Sequence, residues 1–187
     1  MEQNCGSCGL VFRLCARGLC DFCREGPRAR LGKQREVRNY LETNLPEWPW
    51  DSYDKTPELL AECGGRERPD FFWDSGHYAV VLEVDEHQHQ GYPEACECTR
   101  MVNIMQAVGR PIFFVRYNPD EYVTGDALPQ WHRKRRLDLL CEWLKAALVA
   151  VPLDIQLDCT EVTMPTGCLH LFFDGFTQAA IRWTLLS

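Results

Sequence analysis

The sequence predicts an α/β protein, a mixed β-sheet flanked by helices with a small N-terminal zinc knuckle or ribbon. Three observations carry that expectation. Residues 68–116 pass through strand-like and helix-like patterns in the order strand, turn, strand, helix, strand. The N-terminal segment instead holds C-x2-C-x11-C-x2-C, made by Cys5, Cys8, Cys20 and Cys23. The whole chain has 187 residues, 45% hydrophobic and 25% charged, the composition of one packed domain with an appendage rather than a disordered or collagenous chain.

Each C-x2-C pair can turn both thiolates toward one ion, and four such thiolates give tetrahedral zinc. Cys15 lies between the pairs and could replace one ligand, so the choice of four among five stays open. The competing reading is free or paired thiols, but an odd total of 11 cysteines argues against a fully paired disulfide scaffold. A segment this small cannot build a core, so bound metal would supply its folding free energy. Cys63, Cys96, Cys98, Cys141, Cys159 and Cys168 lack comparable spacing and are expected to be buried or incidental thiols.

Gly26-Pro27 breaks the chain, and Arg28 to Thr43 reads as a helix with Val37, Tyr40 and Leu41 on one face. Leu45 to Gly65 is punctuated by Pro46, Pro49, Pro57 and Gly64-Gly65, and is expected to be mostly loop anchored by Trp48, Trp50 and Tyr53. Pro69 to Trp73, a turn at Asp74-Ser75-Gly76-His77, and Tyr78 to Asp85 then form a hairpin. That turn sets Asp70 opposite Val81 and diagonal to Glu83. Val80, Leu82 and Val84 alternate with Val81, Glu83 and Asp85, so one face is apolar and the other ends in two carboxylates.

A helix from about Glu94 to Val108 places Met101, Ile104, Met105 and Val108 on its apolar face, with Glu97 and Arg100 on a neighbouring polar one. Gly109 and Pro111 stop it, and Ile112 to Arg116 is a buried strand. A second helix runs from about Leu128 to Leu148, and Leu153 to Thr163 and Cys168 to Phe176 are strand-like. The expected division is a zinc module at 1–26, a helix and aromatic-rich connection at 27–65, and an α/β domain at 66–187.

Net charge is −7, which at first sight discourages a nucleic-acid partner, but the charge is segregated. Residues 1–38 carry 8 basic and 4 acidic side chains, residues 39–130 carry 6 and 17, and residues 131–145 carry 5 and 2. Two basic islands therefore flank an acidic centre. One contains Arg28, Arg30, Lys33 and Arg35, the other Arg133, Lys134, Arg135 and Arg136. Each could be a solvated helix face, or could hold a phosphate backbone while central carboxylates hold cations. No apolar run reaches the ~18–20 residues of a bilayer span, and the opening residues lack a basic-then-apolar leader, so secretion and membrane insertion are not expected. The expected setting is an intracellular, reducing compartment, nucleus or cytoplasm.

The sharpest chemical pattern is Asp70, then Glu83-Val84-Asp85, then His89. Phosphodiester hydrolysis with divalent metals needs hard oxygen ligands close together, and acids at i and i+2 on a strand share a side. His89 could act as a base, an acid or a further ligand. The bland alternative makes Glu83 and Asp85 solvent-facing residues of an edge strand, with His87 and His89 in a surface loop. Another takes His87, His89 and Asp85 as a mononuclear hydrolase site.

RPDF at 68–71, EVDEHQH at 83–89, the acid-x-x-Arg of Glu97 and Arg100, and GRPIFFVRYNP at 109–119 together resemble the PD-(D/E)XK restriction-endonuclease-like superfamily. The similarity is to very short patch repair endonucleases, EDxHD homing endonucleases and nuclease-like proteins of large DNA viruses, and covers about residues 66–122. It implies a restriction-endonuclease-like core and DNA cleavage dependent on Mg²⁺ or Mn²⁺, with an infected cell as one possible setting. By position it implies metal binding by Asp70, Glu83 and Asp85, a catalytic His89, a final acid at Glu97, and Arg100 and Arg116 near phosphate. Asp85 stands where the commoner motif has lysine, a role that His89 or Gln88 could fill, and Glu97 could instead be a structural partner of Arg100. The expected partners are DNA and, in an assembled form, a second copy of the chain. The expected function is a metal-dependent DNA endonuclease whose zinc module aids DNA binding. The competing function is a non-catalytic DNA-binding or assembly protein that keeps a nuclease-like fold.

Overall fold

In the computed structural model the apolar runs at 79–84 and 112–117 lie side by side inside a six-stranded sheet. The structure describes residues 3–4, 11–12, 32–62, 64–89, 94–125, 130–149, 166–177 and 184–186. Cys5, Cys8, Cys15, Cys20, Cys23, Arg28, Arg30 and the expected strand at 153–163 lie outside the described residues, as do the side chains of His87 and His89. The chain divides within the helix Gly32–Asn44 into two compact units, Met1–Asn39 and Tyr40–Ser187.

In the first unit β1 (Gln3–Asn4) and β2 (Val11–Phe12) pair antiparallel. Helix α1 (Gly32–Asn44) crosses the division. The second unit continues with β3 (Ser52–Tyr53), α2 (Glu58–Glu62), β4 (Phe71–Asp74), β5 (Ala79–Val84), a 3-10 turn at Glu86–His89, α3 (Glu94–Val108), β6 (Ile112–Tyr117), α4 (Arg133–Val149), β7 (Thr166–Leu171) and β8 (Thr184–Leu186). Sheet order is β3-β4-β5-β6-β7-β8; β5, β6 and β7 run parallel and the outer pairings are antiparallel. Among the described residues no helix is long and apolar enough to cross a membrane.

The segment expected to be mostly loop does more than that. Ser52 and Tyr53 pair with Phe72 and Phe71, extending the sheet by one strand, and Pro57 opens helix α2 by accepting the amide of Ala61. A strand of two residues is too short to show period-2 alternation, which is why the sequence pattern does not reveal it.

Every residue of β5 is buried, Glu83 included, because the strand has neighbours on both edges and a packed layer on both faces. The edge-strand alternative for Glu83 and Asp85 is thereby excluded. On one face, Phe72, Val81, Phe114 and Cys168 fall in one row across four strands and pack with Ile104 and Val108 of α3. On the other, α4 covers the sheet: the hydroxyl of Tyr78 donates to Leu148 O at 2.8 Å, and the Tyr78 ring meets Phe113 edge-on.

Arg136 departs from its expected place in a basic surface quartet. Arg133, Lys134 and Arg135 are exposed, but Arg136 is 5% exposed. Its guanidinium donates to Asp120 O at 2.8 Å and to Asn118 O, and lies 4.8 Å from the ring centre of Phe172 and 5.1 Å from that of Tyr122. It stands one helical turn before Leu140, on the core stripe of α4. A residue held this way cannot present its charge to a phosphate, so the quartet contributes three surface cations. Arg136→Met is expected to lower stability by about 2–4 kcal/mol through loss of two charge-assisted bonds and the ring contacts, read from the urea midpoint.

Candidate active site

The polar site continues the apolar row beneath α3. The β4–β5 register pairs Phe71 with Leu82, so one more step sets Asp70 beside Glu83 rather than opposite Val81. The expected register is thus corrected by two residues. The cause is Tyr78, which leaves the strand to bury its ring; Ser75 to Tyr78 form the loop, closed by the Ser75 amide and hydroxyl on Tyr78 O. A shift of two keeps each side chain on its face, so Asp70 stays with the acids and comes closer to them.

Parallel pairing carries the row onward. Glu83 is registered with Arg116, and Arg116 with His170. Helix α3 runs over this row with the stripe Glu97, Arg100, Ile104 and Val108, whose apolar end seals the core and whose polar end meets the acids.

Arg100 bonds Glu83 Oε2 at 3.1 Å, donates to Arg68 O at 2.8 Å and lies 3.6 Å from Glu67 Oε2. Arg116 Nε bonds Asp85 Oδ2 at 2.6 Å, and its Nη2 bonds Glu97. Glu97 is therefore a partner of Arg116. Arg116 is itself buried, so its guanidinium serves carboxylates here and does not face outward to a phosphate.

Asp70 Oδ2 accepts the Val84 amide at 2.7 Å. Glu83 is 5% exposed, and its Oε1 has no hydrogen-bond partner among the described residues. Burial pushes the Asp70 carboxyl up to about 7, against the pull of the Val84 amide and Arg100, with the Asp85 charge adding to the rise. Burial likewise holds Glu83 well above the usual carboxylate range; Arg100 opposes this, while Asp70 and Asp85 reinforce it. Five carboxyl groups, of Glu67, Asp70, Glu83, Asp85 and Glu97, thus gather around two guanidinium groups, an excess of acids over cations in a shielded place.

That excess and the orphan oxygen of Glu83 suit a hard divalent cation, which takes carboxylate oxygens. The arrangement as it stands is not a formed metal cage: among the described residues no three His, Cys, Asp or Glu side chains are placed to hold an ion together. Arg100 on Glu83 and Arg116 on Asp85 supply positive charge instead.

Gln88 has a positive φ of 54°, and its Oε1 accepts the Asp174 amide at 2.8 Å, so its side chain ties two loops together. Lys33 is half-buried and Arg35 exposed on α1; Lys134 pairs with Asp138, and Arg135 lies over the Trp131 ring.

Two site residues escape the sequence pattern. Glu67 belongs through Arg100 and through Asn103, whose Nδ2 donates to Glu67 Oε1 at 2.9 Å. His170 belongs through register, a pairing that no local pattern announces. No family model matches the chain, and no curated protein or solved structure is detectably similar to it, so the site stands on these residues alone.

Proposed function

We propose that the chain is a metal-dependent DNA endonuclease with an N-terminal zinc module. The observation that carries this reading is the buried row of acids with one uncommitted Glu83 oxygen at the end of the parallel strands, where α/β sheets hold their ligands. The ordered motifs at 68–71, 83–89, 97–100 and 109–119 support it by resemblance. By the resemblance Asp70, Glu83 and Asp85 would hold the cation once it displaces the arginines from Glu83 and Asp85, and it would supply Lewis-acid polarisation of the phosphate and a more acidic water.

The chain's own groups divide the remaining work. Arg116 keeps Asp85 and Glu97 in place. Arg100, less buried, is the cation able to turn from Glu83 to a phosphate oxygen and offset charge there. Lys33, Arg35, Arg133, Lys134 and Arg135 are the described candidates for gripping the duplex backbone, with Arg28 and Arg30 added from the sequence.

The second reading, a DNA-binding protein with a nuclease-like fold and no activity, draws on the salt bridges that already occupy Glu83 and Asp85. Supercoiled DNA incubated with Mg²⁺ or Mn²⁺ separates the two. Nicking or cutting that EDTA abolishes is expected; a gel shift without cleavage across both metals would transfer the case to the second reading. Zinc of about one atom per chain is expected in the same sample.

A further inference from the structure

Among the described strands, His170 is the histidine that the register sets in the acid row. His77 lies in the hairpin loop, and His132 accepts the Arg135 amide at 3.3 Å at the start of α4. Neighbouring strands lie about 4.8 Å apart, so His170 stands one strand beyond Arg116 and roughly 10 Å, backbone to backbone, from Glu83. Arg116 stands between the two in the row with its guanidinium turned to Asp85 and Glu97, and His170 closes the row at its exposed end.

The imidazole is accessible and uncommitted. His170 is exposed, its ring meets Phe173 edge-on at 4.9 Å, and Cys168 Sγ lies 3.9 Å from Nδ1 and 4.0 Å from Nε2. Those sulfur distances are nearly equal and long, so the thiol does not claim either nitrogen with a strong bond. Phe173 packs edge-on against the ring.

We propose that His170 is the general base of the hydrolysis, taking the proton of the attacking water. This rests on the endonuclease reading above. The water O–H bond breaks as its oxygen bonds to phosphorus, and the proton passes to an imidazole nitrogen. The P–O bond to the leaving sugar oxygen breaks with its electron pair, and that alkoxide takes a proton from solvent. An imidazole with its ordinary pKa of about 6.5 is mostly neutral at pH 7 and so able to accept a proton.

The test uses the full chain on supercoiled DNA with Mg²⁺ or Mn²⁺. His170→Ala is expected to lower kcat about 100-fold with KM little changed, the usual reach of a positioned base. Free imidazole is expected to restore about tenfold of that loss, as a merely structural histidine would not allow. His170→Gln, which keeps the size of the side chain, guards against misfolding and is expected to show the same loss. Wild-type rates in either variant, or a loss that imidazole leaves untouched, would overturn the assignment. A wild type that cuts nothing would sink the endonuclease reading and this role with it, whereas an active wild type beside an unaffected His170→Ala would sink this role alone.

Discussion

On the proposed endonuclease reading the Asp70→Asn variant is expected to lose DNA cleavage by about a thousandfold, while melting several degrees above the wild type at pH 8. The activity loss would follow from removing an oxygen proposed to bind the cation. The stability gain follows from removing the Asp70 charge. Asp70 has its carboxyl pushed up to about 7 from an ordinary 3.8, so the folded chain binds that proton more tightly than the unfolded chain does. The stabilisation this gives is complete below about pH 4, declines as pH rises toward 7, and is gone above it. Glu83, also held high, changes stability in the same direction. An asparagine amide keeps an oxygen for the Val84 amide and carries no charge. Its advantage over aspartate should therefore be absent near pH 4 and reach on the order of 2 kcal/mol at pH 8. Thermal melts at both pH values, beside a nicking assay, read the two effects on one protein. Equal melting at pH 4 and pH 8 would show that Asp70 is not shielded as described.

Arg116→Met is expected to have the larger structural effect, a loss of about 3–5 kcal/mol at neutral pH. The substitution withdraws the guanidinium from Asp85, which is fully buried, and from Glu97. Two acids then face each other in a shielded place with less positive charge beside them. Divalent cation should recover part of the loss, because it can replace the missing charge, so denaturant midpoints are expected to separate less with Mg²⁺ than with EDTA. An Arg116→Met protein as stable as the wild type would mean that the pair is not buried in solution. Lysine should serve poorly, since one ammonium cannot make the two directed bonds that Nε and Nη2 make to separate carboxylates.

These two sites also show where sequence reasoning succeeds and where it stops. Helix α3 occurs at Glu94–Val108, the range its periodicity predicts, because Met101, Ile104, Met105 and Val108 repeat with the helix and Gly109 ends it at a positive φ of 66°. The run at 112–117 is a strand because its apolar residues are continuous and bounded by turn residues. Asp70, Glu83 and Asp85 share a neighbourhood for a similarly local reason, the parity of a hairpin, which survives a register error of two. The partners of the arginines were not legible. Arg116 sits at a strand end and Arg136 in a basic run, positions that read as outward, yet both are buried. Only the neighbours decide that, through Asp85 and Glu97 for one and through Tyr122, Phe172 and two carbonyls for the other.

The sequence by itself determined the local elements and the alternation that puts acids on one side of one strand, since both depend on residues within a few positions of each other. The tertiary structure decided that β5 is central, that Glu83 is buried with an uncommitted oxygen, that Arg100 and Arg116 divide the acids between them, and that His170 joins the row. Those facts depend on which strand lies beside which, across long separations such as the 86 residues between Gln88 and Asp174. Pairing over such distances is set by the fit of whole faces, and no short stretch of chain contains that information.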